Sequence, residues 1–311
     1  MERVKELESL ILRHKALYYQ GRPEISDQSY DLLEDELQKL SPENPILKIV
    51  GTAPSGSDKI KHEKKMLSLG KTYKIEDLES WLGEYTAISM FKIDGVSGSL
   101  IYENGKLILG KTRGDGSYGE NITSKVNWLS DIPKTIDDKQ RMEIRGEIYC
   151  TEENFFHLSK EMVRLGFDKP TSQRNIVAGL MGRKENLEFS RYLSFQAFDL
   201  LTEKPLKSES EKMEKLKKLG FEIPSYEIHK NSKSLKQVID QAEVFMAEGD
   251  YQIDGLVFSY DKLSLHEELG ETAHHPRYKM AFKFQGESKV TTIKKILWSV
   301  SRNGICTPVA N

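Results

Sequence analysis

Residues 99–109, SLIYENGKLIL, most narrow what this chain can become. Two β-rich flanks enclose Asn104-Gly105, a dipeptide suited to a type I′ turn because both central residues must take positive φ. A hairpin of this kind commits its surroundings to antiparallel pairing. Further strand-like segments stand at RMEIRGEIYC (141–150), YLSFQAFDLL (192–201), DGLVFSY (254–260) and KMAFKFQG (279–286). Helical patterns cover 151–165, 208–219 and 234–247; Ser208 with Glu211 forms a capping box and Gly220 suits a helix C-terminus. Strands and helices alternate without a βαβ rhythm. The prediction is therefore an α+β domain of antiparallel sheets with flanking helices, not a doubly wound sheet.

The first 40 residues have another texture. Val4, Leu7, Ile11, His14 and Tyr18 recur at helical spacing, and GRPEISD (21–27) breaks the pattern. Tyr30, Leu33, Leu37 and Leu40 then make a second apolar stripe, with Ser26 or Asp27 as N-cap. A Pro-, Gly- and Lys-rich connection follows, so residues 1–65 read as a helical module with its linker, and the α+β domain runs over 66–290. The chain has 311 residues, 30% of them charged, and a net charge of only −2. No apolar run approaches the roughly 18 residues of a membrane span, and the charged N-terminus lacks the apolar stretch of a signal peptide. Two cysteines, Cys150 and Cys306, are too few for a disulfide framework or a four-cysteine zinc site, which points to a reducing intracellular setting.

One motif is misleading. GKLILGKT (105–112) satisfies the phosphate-loop pattern letter for letter, and a phosphate-loop ATPase using Lys111 is its implication. The mechanism behind that pattern needs a strand before the first glycine and a helix after the threonine. Here Gly105 sits in a turn, KLIL is itself a strand, and RGDGSYG follows, so the pattern is rejected.

More informative are ionisable residues set within strands. A strand has a period of two, so in MFKIDG (90–95) Met90, Lys92 and Asp94 share a face opposite Phe91 and Ile93. In 141–150, Glu143, Arg145 and Glu147 share the face opposite Met142, Ile144, Ile148 and Cys150; in 279–286, Lys283 faces away from Met280, Phe282 and Phe284. The ordinary reading is that these are solvent-wetted faces of antiparallel sheets. The alternative is a pocket. Lys92, Lys283, Arg113 of the glycine-rich TRGDGSYGEN and Arg174 of TSQRNIVAG, with Glu147, would make an anion site carrying one carboxylate, suited to a nucleotide. A lysine nucleophile must be uncharged when it attacks, and a second lysine nearby helps by electrostatic repulsion while neutralising the phosphate under attack.

Taken together, these motifs resemble the adenylation segment of bacterial-type NAD-dependent DNA ligases, of the nucleotidyltransferase (ATP-grasp-like) superfamily. KIDG, KTRGDGSYGENIT, RGEIY, DGLVF and MAFKF stand in the family's order. YYQGRPEISDQSYDLL is similar to the nicotinamide-binding module that sets this family apart, and KMLSLGKTY to the segment lining the adenine site. The resemblance implies that Lys92 attacks the α-phosphate of NAD, forming a lysyl-AMP while nicotinamide mononucleotide leaves. It further implies that Glu147 holds the ribose, Arg113 and Arg174 the nucleotide and its phosphates, and Lys283 the α-phosphate, with Ser68 and Leu69 beside the adenine. Asp27, Tyr30 and Asp31 would hold the nicotinamide ribose, with Tyr18 stacking nearby. Blander roles remain open: Asp27 as a helix cap, Tyr30 as core, Leu69 as packing. Mg²⁺ is implied as a neutraliser of phosphate charge held by substrate and water, with no metal ligands from the protein.

Four positions depart from the family pattern. Met90 replaces a glutamate that contacts the adenine, and Ser259 a lysine expected at the α-phosphate. Tyr19 replaces a histidine of the nicotinamide module, and Gly182 an arginine, although Arg183 is adjacent. Lys262 could restore the charge lost at Ser259, but strand parity sends it to the opposite face. LWSVSRNGICTPVAN (297–311) resembles the start of the family's OB-fold, so 291–311 reads as a truncated OB-fold. A zinc finger and helix-hairpin-helix repeats would follow it, in a longer chain or in a second polypeptide as in some bacteriophages. The implied partner is nicked double-stranded DNA and the implied setting the cytoplasm of a bacterial or phage-infected cell. The rival reading is a catalytically impaired ligase-like accessory protein that binds NAD or DNA.

Overall fold

The computed structural model describes residues 2–19, 24–25, 27–42, 44–48, 59–272, 275–284, 292–300 and 306–310. Two helices come first, α1 (Glu2–Tyr19) and α2 (Asp27–Leu40). They pack through Leu7, Ile11 and Leu37, the apolar stripes read from the sequence, with Val4, Tyr30 and Leu33 partly buried against them.

The main domain opens with β1 (Lys59–Lys61), β2 (Gly70–Thr72), α3 (Ile75–Leu82) and β3 (Ala87–Ile93). The expected hairpin is present as β4 (Val96–Glu103) and β5 (Lys106–Thr112), with Asn104 and Gly105 at φ 51° and 76° as a type I′ turn requires. Next come β6 (Tyr118–Glu120), α4 (Thr123–Val126), β7 (Met142–Tyr149), α5 (Glu152–Arg164), α6 (Gln173–Gly182) and β8 (Ser194–Thr202). The remainder is α7 (Glu209–Lys218), β9 (Tyr226–His229), α8 (Leu235–Glu248), β10 (Ile253–Tyr260), α9 (Leu263–Leu269), β11 (Lys279–Lys283), β12 (Ile296–Val300) and β13 (Cys306–Ala310). At the start of α7, Ser208 accepts the Glu211 N–H as expected, while the Glu211 carboxylate takes the N–H of Lys207.

Two sheets carry the domain. One is five-stranded, in the order β2-β11-β10-β3-β9; the other is four-stranded, β5-β4-β7-β8. All pairs are antiparallel except β2 with β11. One core packs α3, α8 and α9 on the first sheet through Leu78, Leu82, Val238, Leu265, Leu256 and Phe258. The other packs α5, α6 and α7 on the second through Leu158, Val177, Leu180, Leu216, Ile144 and Phe195, and Ile88 and Met90 of β3 join it. β12 and β13 pair with each other.

The chain passes from one sheet to the other at Asp94-Gly95. A side chain at Gly95 would place its Cβ 2.1 Å from the Ile148 carbonyl oxygen, so only glycine fits this crossing. The polar face of β7 is not wetted by solvent, contrary to the ordinary expectation for an antiparallel strand: all eight residues of β7 are buried. Lys111 is buried on β5, where its amine donates to the Lys61 carbonyl, and Thr112 is followed by a turn and β6 rather than by a helix; the phosphate-loop pattern is structural coincidence.

Candidate active site

Between the two sheets lies a cavity of about 750 Å³, within the range of small-ligand and cofactor sites. Its floor is one face of the five-stranded sheet, and strand register orders that floor into rungs. Lys92, Gly255 and Lys283 form one rung; Met90, Val257, Ala281 and Lys71 the next; Ile88, Ser259 and Lys279 the third. The second sheet contributes Ser97, Arg145, Glu147, Phe198 and Asp199, and α6 contributes Arg174, Ala178 and Gly182 at helical spacing.

Lys92, next to last in β3, has its ammonium on both oxygens of Asp254, at 2.8 and 2.9 Å. A bulge makes this contact. Ile253 pairs with Ile93 and Gly255 with Lys92, which leaves Asp254 as the extra residue, aimed at the lysine. Gly255 takes φ 151° with the Phe282 carbonyl where a Cβ would be, so the bulge requires glycine. Lys283 lies 3.7 Å from the same Asp254 carboxylate and 3.0 Å from Asp31. Lys92 is thus neither in bulk solvent nor isolated from a second lysine.

Glu147 is 8% exposed and accepts from the Ser97 hydroxyl at 2.6 Å. Burial pushes its carboxyl up to about 7, against the opposing pull of Arg174, Ser97 and Lys92. Arg174 is held by Asp94 at 2.5 Å. Arg113 and Thr112 accept the His62 ring nitrogen on their carbonyls, both at 3.1 Å, which fixes the loop that carries Arg113 along the cavity. Ser68 and Leu69 line the cavity just before β2.

From the helical module, Asp31 reaches the cavity. It accepts from Tyr73 at 2.6 Å and pairs with Lys71 at 2.9 Å as well as with Lys283. Burial raises its carboxyl, but Lys283, Lys71 and Tyr73 outweigh burial and hold it below the usual carboxylate range. Tyr30 is placed otherwise. Its hydroxyl donates to Glu34 at 2.8 Å, and of the two it is Glu34 that lines the cavity. The side chains of Tyr18, Tyr19 and Asp27 lie outside the described residues.

With this geometry in view, comparison with known proteins is decisive. A family model for the NAD-dependent DNA ligase adenylation domain matches residues 55–287, and one for the DNA ligase-like N-terminal NAD+-binding domain matches 1–54. The chain belongs to the NAD-dependent DNA ligase family. DNA ligases of Endomicrobium trichonymphae (35% identical, 99% of this chain, 49% of the relative) and Leptospira biflexa (37%, 99% and 48%) are similar to it. So is that of Clostridioides difficile, at 34% identity over 98% of this chain and 48% of the relative. The chain spans about half the length of the curated relatives it matches.

Against the NAD-dependent ligase pattern, the departures now have positions. Met90 is buried on the middle rung, and Ser259 is fully buried with a hydroxyl that has no hydrogen-bond partner among the described residues. Gly182 lines the cavity, but Arg183 stacks over Phe167 and Phe189, 4.9 and 5.7 Å from their ring centroids, and does not replace the missing arginine. Lys262 does not line the cavity, but it stands beyond the end of β10 at the start of α9, so strand parity does not decide its place. Among the residues that sequence reasoning did not single out are Asp254, which holds Lys92, and the lining residues Lys279, Phe198 and Lys71. Asp254 had a signal, a glycine inside a strand, which marks a bulge. Lys279 had one as well, four residues before Lys283 and so on the same face. Phe198 had none, while Lys71 stood within KMLSLGKTY, the segment set beside the adenine site, without being singled out.

Proposed function

We propose that this chain is the self-charging part of an NAD-dependent DNA ligase. What supports this reading most is the placement of Lys92, paired with Asp254 on the same floor rung as Lys283 and beneath a helical module that reaches the cavity through Asp31. An α-phosphate over that rung lies between two ammonium groups. Release of Lys92 from Asp254, with its proton passed to that carboxylate, frees the nitrogen lone pair. The pair forms a P–N bond to the α-phosphorus, the P–O bond to the bridging oxygen breaks, and nicotinamide mononucleotide leaves with that electron pair. Lys283 and Arg174 neutralise the equatorial charge. Glu147 orients the ribose, and the base lies on Val257 opposite Phe198. Asp31 and the helical module hold the nicotinamide half, which is why the donor is NAD rather than a nucleoside triphosphate.

The AMP would then pass to the 5′-phosphate at a DNA nick. Sealing is expected to need the OB-fold, zinc finger and helix-hairpin-helix segments, in the same chain or in a second polypeptide. Mg²⁺ is a different matter. Among the described residues no three His, Cys, Asp or Glu side chains converge on a metal site, and both Asp254 oxygens are engaged by Lys92. No step here runs through a metal ion.

The test is to incubate the chain with NAD or ATP, each labelled in its adenylyl group, and to map the adduct by mass spectrometry. AMP on Lys92 from NAD and not from ATP is the expected result. An unlabelled Lys92, or equal labelling from ATP, overturns the reading.

A further inference from the structure

The third rung of the floor has no task in the chemistry above. Lys279 lies on the same strand and the same face as Lys283, four residues away, so the two Cα atoms are about 13 Å apart at the rise of an extended strand. That is roughly the reach from an α-phosphate to the far edge of its base. Beside Lys279 the floor is apolar, with Val257 and Ala281, and the opposite wall carries Phe198. Phe198 owes its position to a second bulge: Arg145 pairs with Asp199 and Gly146 with Ala197, so Phe198 is the extra residue of β8. A flat apolar slot thus separates the phosphate rung from the Lys279 rung.

The ammonium at the end of that slot is held but not used. Its nearest carboxylate oxygen among the described residues is Glu209 Oε1 at 3.8 Å, too far for a hydrogen bond. That oxygen already serves Lys212 at 2.9 Å, and Glu209 is completely buried. Lys279 is drawn towards a fixed negative charge while its N–H donors stay available to the cavity. Ser259, its cross-strand partner, is buried beneath it and does not line the cavity.

Resting on the adenylyl-transfer reading of the cavity, we propose that Lys279 determines base specificity by donating a hydrogen bond to the ring-nitrogen acceptor on the edge of adenine farthest from the ribose. That edge carries N1, which accepts. Guanine and hypoxanthine present an N–H there and cannot accept. Asp199, on the same wall and committed to Lys212 at 2.7 Å, adds to the negative field that orients the amine.

The test is a cycle between ligand and side chain, read by calorimetry. AMP and 1-deaza-AMP, in which ring N1 is replaced by CH, are titrated into the wild type, Lys279→Met and Lys279→Arg. The wild type should bind AMP at least tenfold tighter than the deaza analogue, the size of one charge-assisted hydrogen bond. In Lys279→Met the ratio should fall to within twofold, and Lys279→Arg should restore part of it. A ratio that Lys279→Met leaves unchanged overturns the proposal. So does a wild type that binds both ligands equally, a result needing no variant to fold. Labelling of Lys92 by NAD is scored separately. Its failure with the AMP preference intact refutes the transfer reading alone, and its success with an unmoved ratio refutes the role of Lys279 alone.

Discussion

Two clusters of buried charge lie on the same face of β7, four residues apart, and they are built differently. Around Glu143, the partners close on one another. Ser99 and Arg145 both donate to Oε1 at 2.8 Å, and Arg145 also takes the carbonyls of Lys64 and Lys65 at 2.5 and 3.2 Å. Around Glu147, a single serine donates to the carboxylate, and the nearby cations Lys92 and Arg174 are held by other acids across the cavity. The first cluster ties the linker to the sheet. The second consists of ion pairs that an incoming phosphate can exchange for itself. Burial therefore does not separate structural from chemical residues here; the number of partners left unfilled does.

The largest effect should fall on the open cluster. Lys92→Ala removes the atom that bonds to phosphorus, so adenylyl transfer should fall by roughly 10⁴-fold or more while the melting temperature stays within a few degrees. Residual transfer at another lysine would break the distinction. Next comes the closed cluster. Arg145→Met leaves Glu143 buried without its charge partner, and the cost should be about 3–5 kcal/mol in denaturant unfolding. A loss under about 1 kcal/mol would mean that the closed network is not holding the sheet to its linker.

Strand parity made much of this legible. It put Lys92 and Met90 on one face and grouped Glu143, Arg145 and Glu147. Parity fails where an extra residue enters a strand; of three such bulges among the described strands, those at Asp254 and Phe198 act on the site and the one at Ile108 of β5 does not. Asp254 and Phe198 owe their aim to those bulges, which no alternation pattern can show. Tyr30 illustrates another limit: helical spacing put it beside Asp31, but 100° of rotation per residue separates a side chain on Glu34 from one on Lys283. The fold class was readable because hairpin chemistry is local, whereas the pairing of β2 with β11 joins segments some 210 residues apart.

A third prediction sharpens the contrast through pH. Glu147 is raised in the folded, ligand-free protein to about 7, from about 4.5 when unfolded. The folded state therefore binds more protons between those values, and the stability contributed by this group is complete below about 4.5 and lost as pH rises through about 7. Glu147→Gln should leave stability unchanged near pH 4 and raise it by about 2–3 kcal/mol at pH 8. It should weaken AMP binding at the same time, because the ribose exchanges a charged acceptor for a neutral one and one of the two oxygens becomes a donor NH₂. Urea unfolding at the two pH values checks the first part. A difference that does not change with pH would show that Glu147 is as well satisfied as Glu143.

The smallest effect concerns Asp31, where the helical module competes with the substrate for a cation. Its carboxylate sits 3.0 Å from Lys283, the amine assigned to the α-phosphate. Asp31→Asn should free Lys283 and tighten AMP binding severalfold, yet slow adduct formation from NAD because the module loses its hold on the cavity. The two readouts move in opposite directions, which no general loss of folding can mimic. Acid should act in the same sense. The Asp31 carboxyl is held below its usual value near 3.8, so the docking it contributes is present above that value and lost as pH falls through the lower one. Amide exchange in α2 should accordingly remain slow at pH 5 in the wild type and run about tenfold faster in the variant. Equal exchange in both would mean that the module is held by its other contacts, and that Asp31, like Glu147, is kept for the ligand.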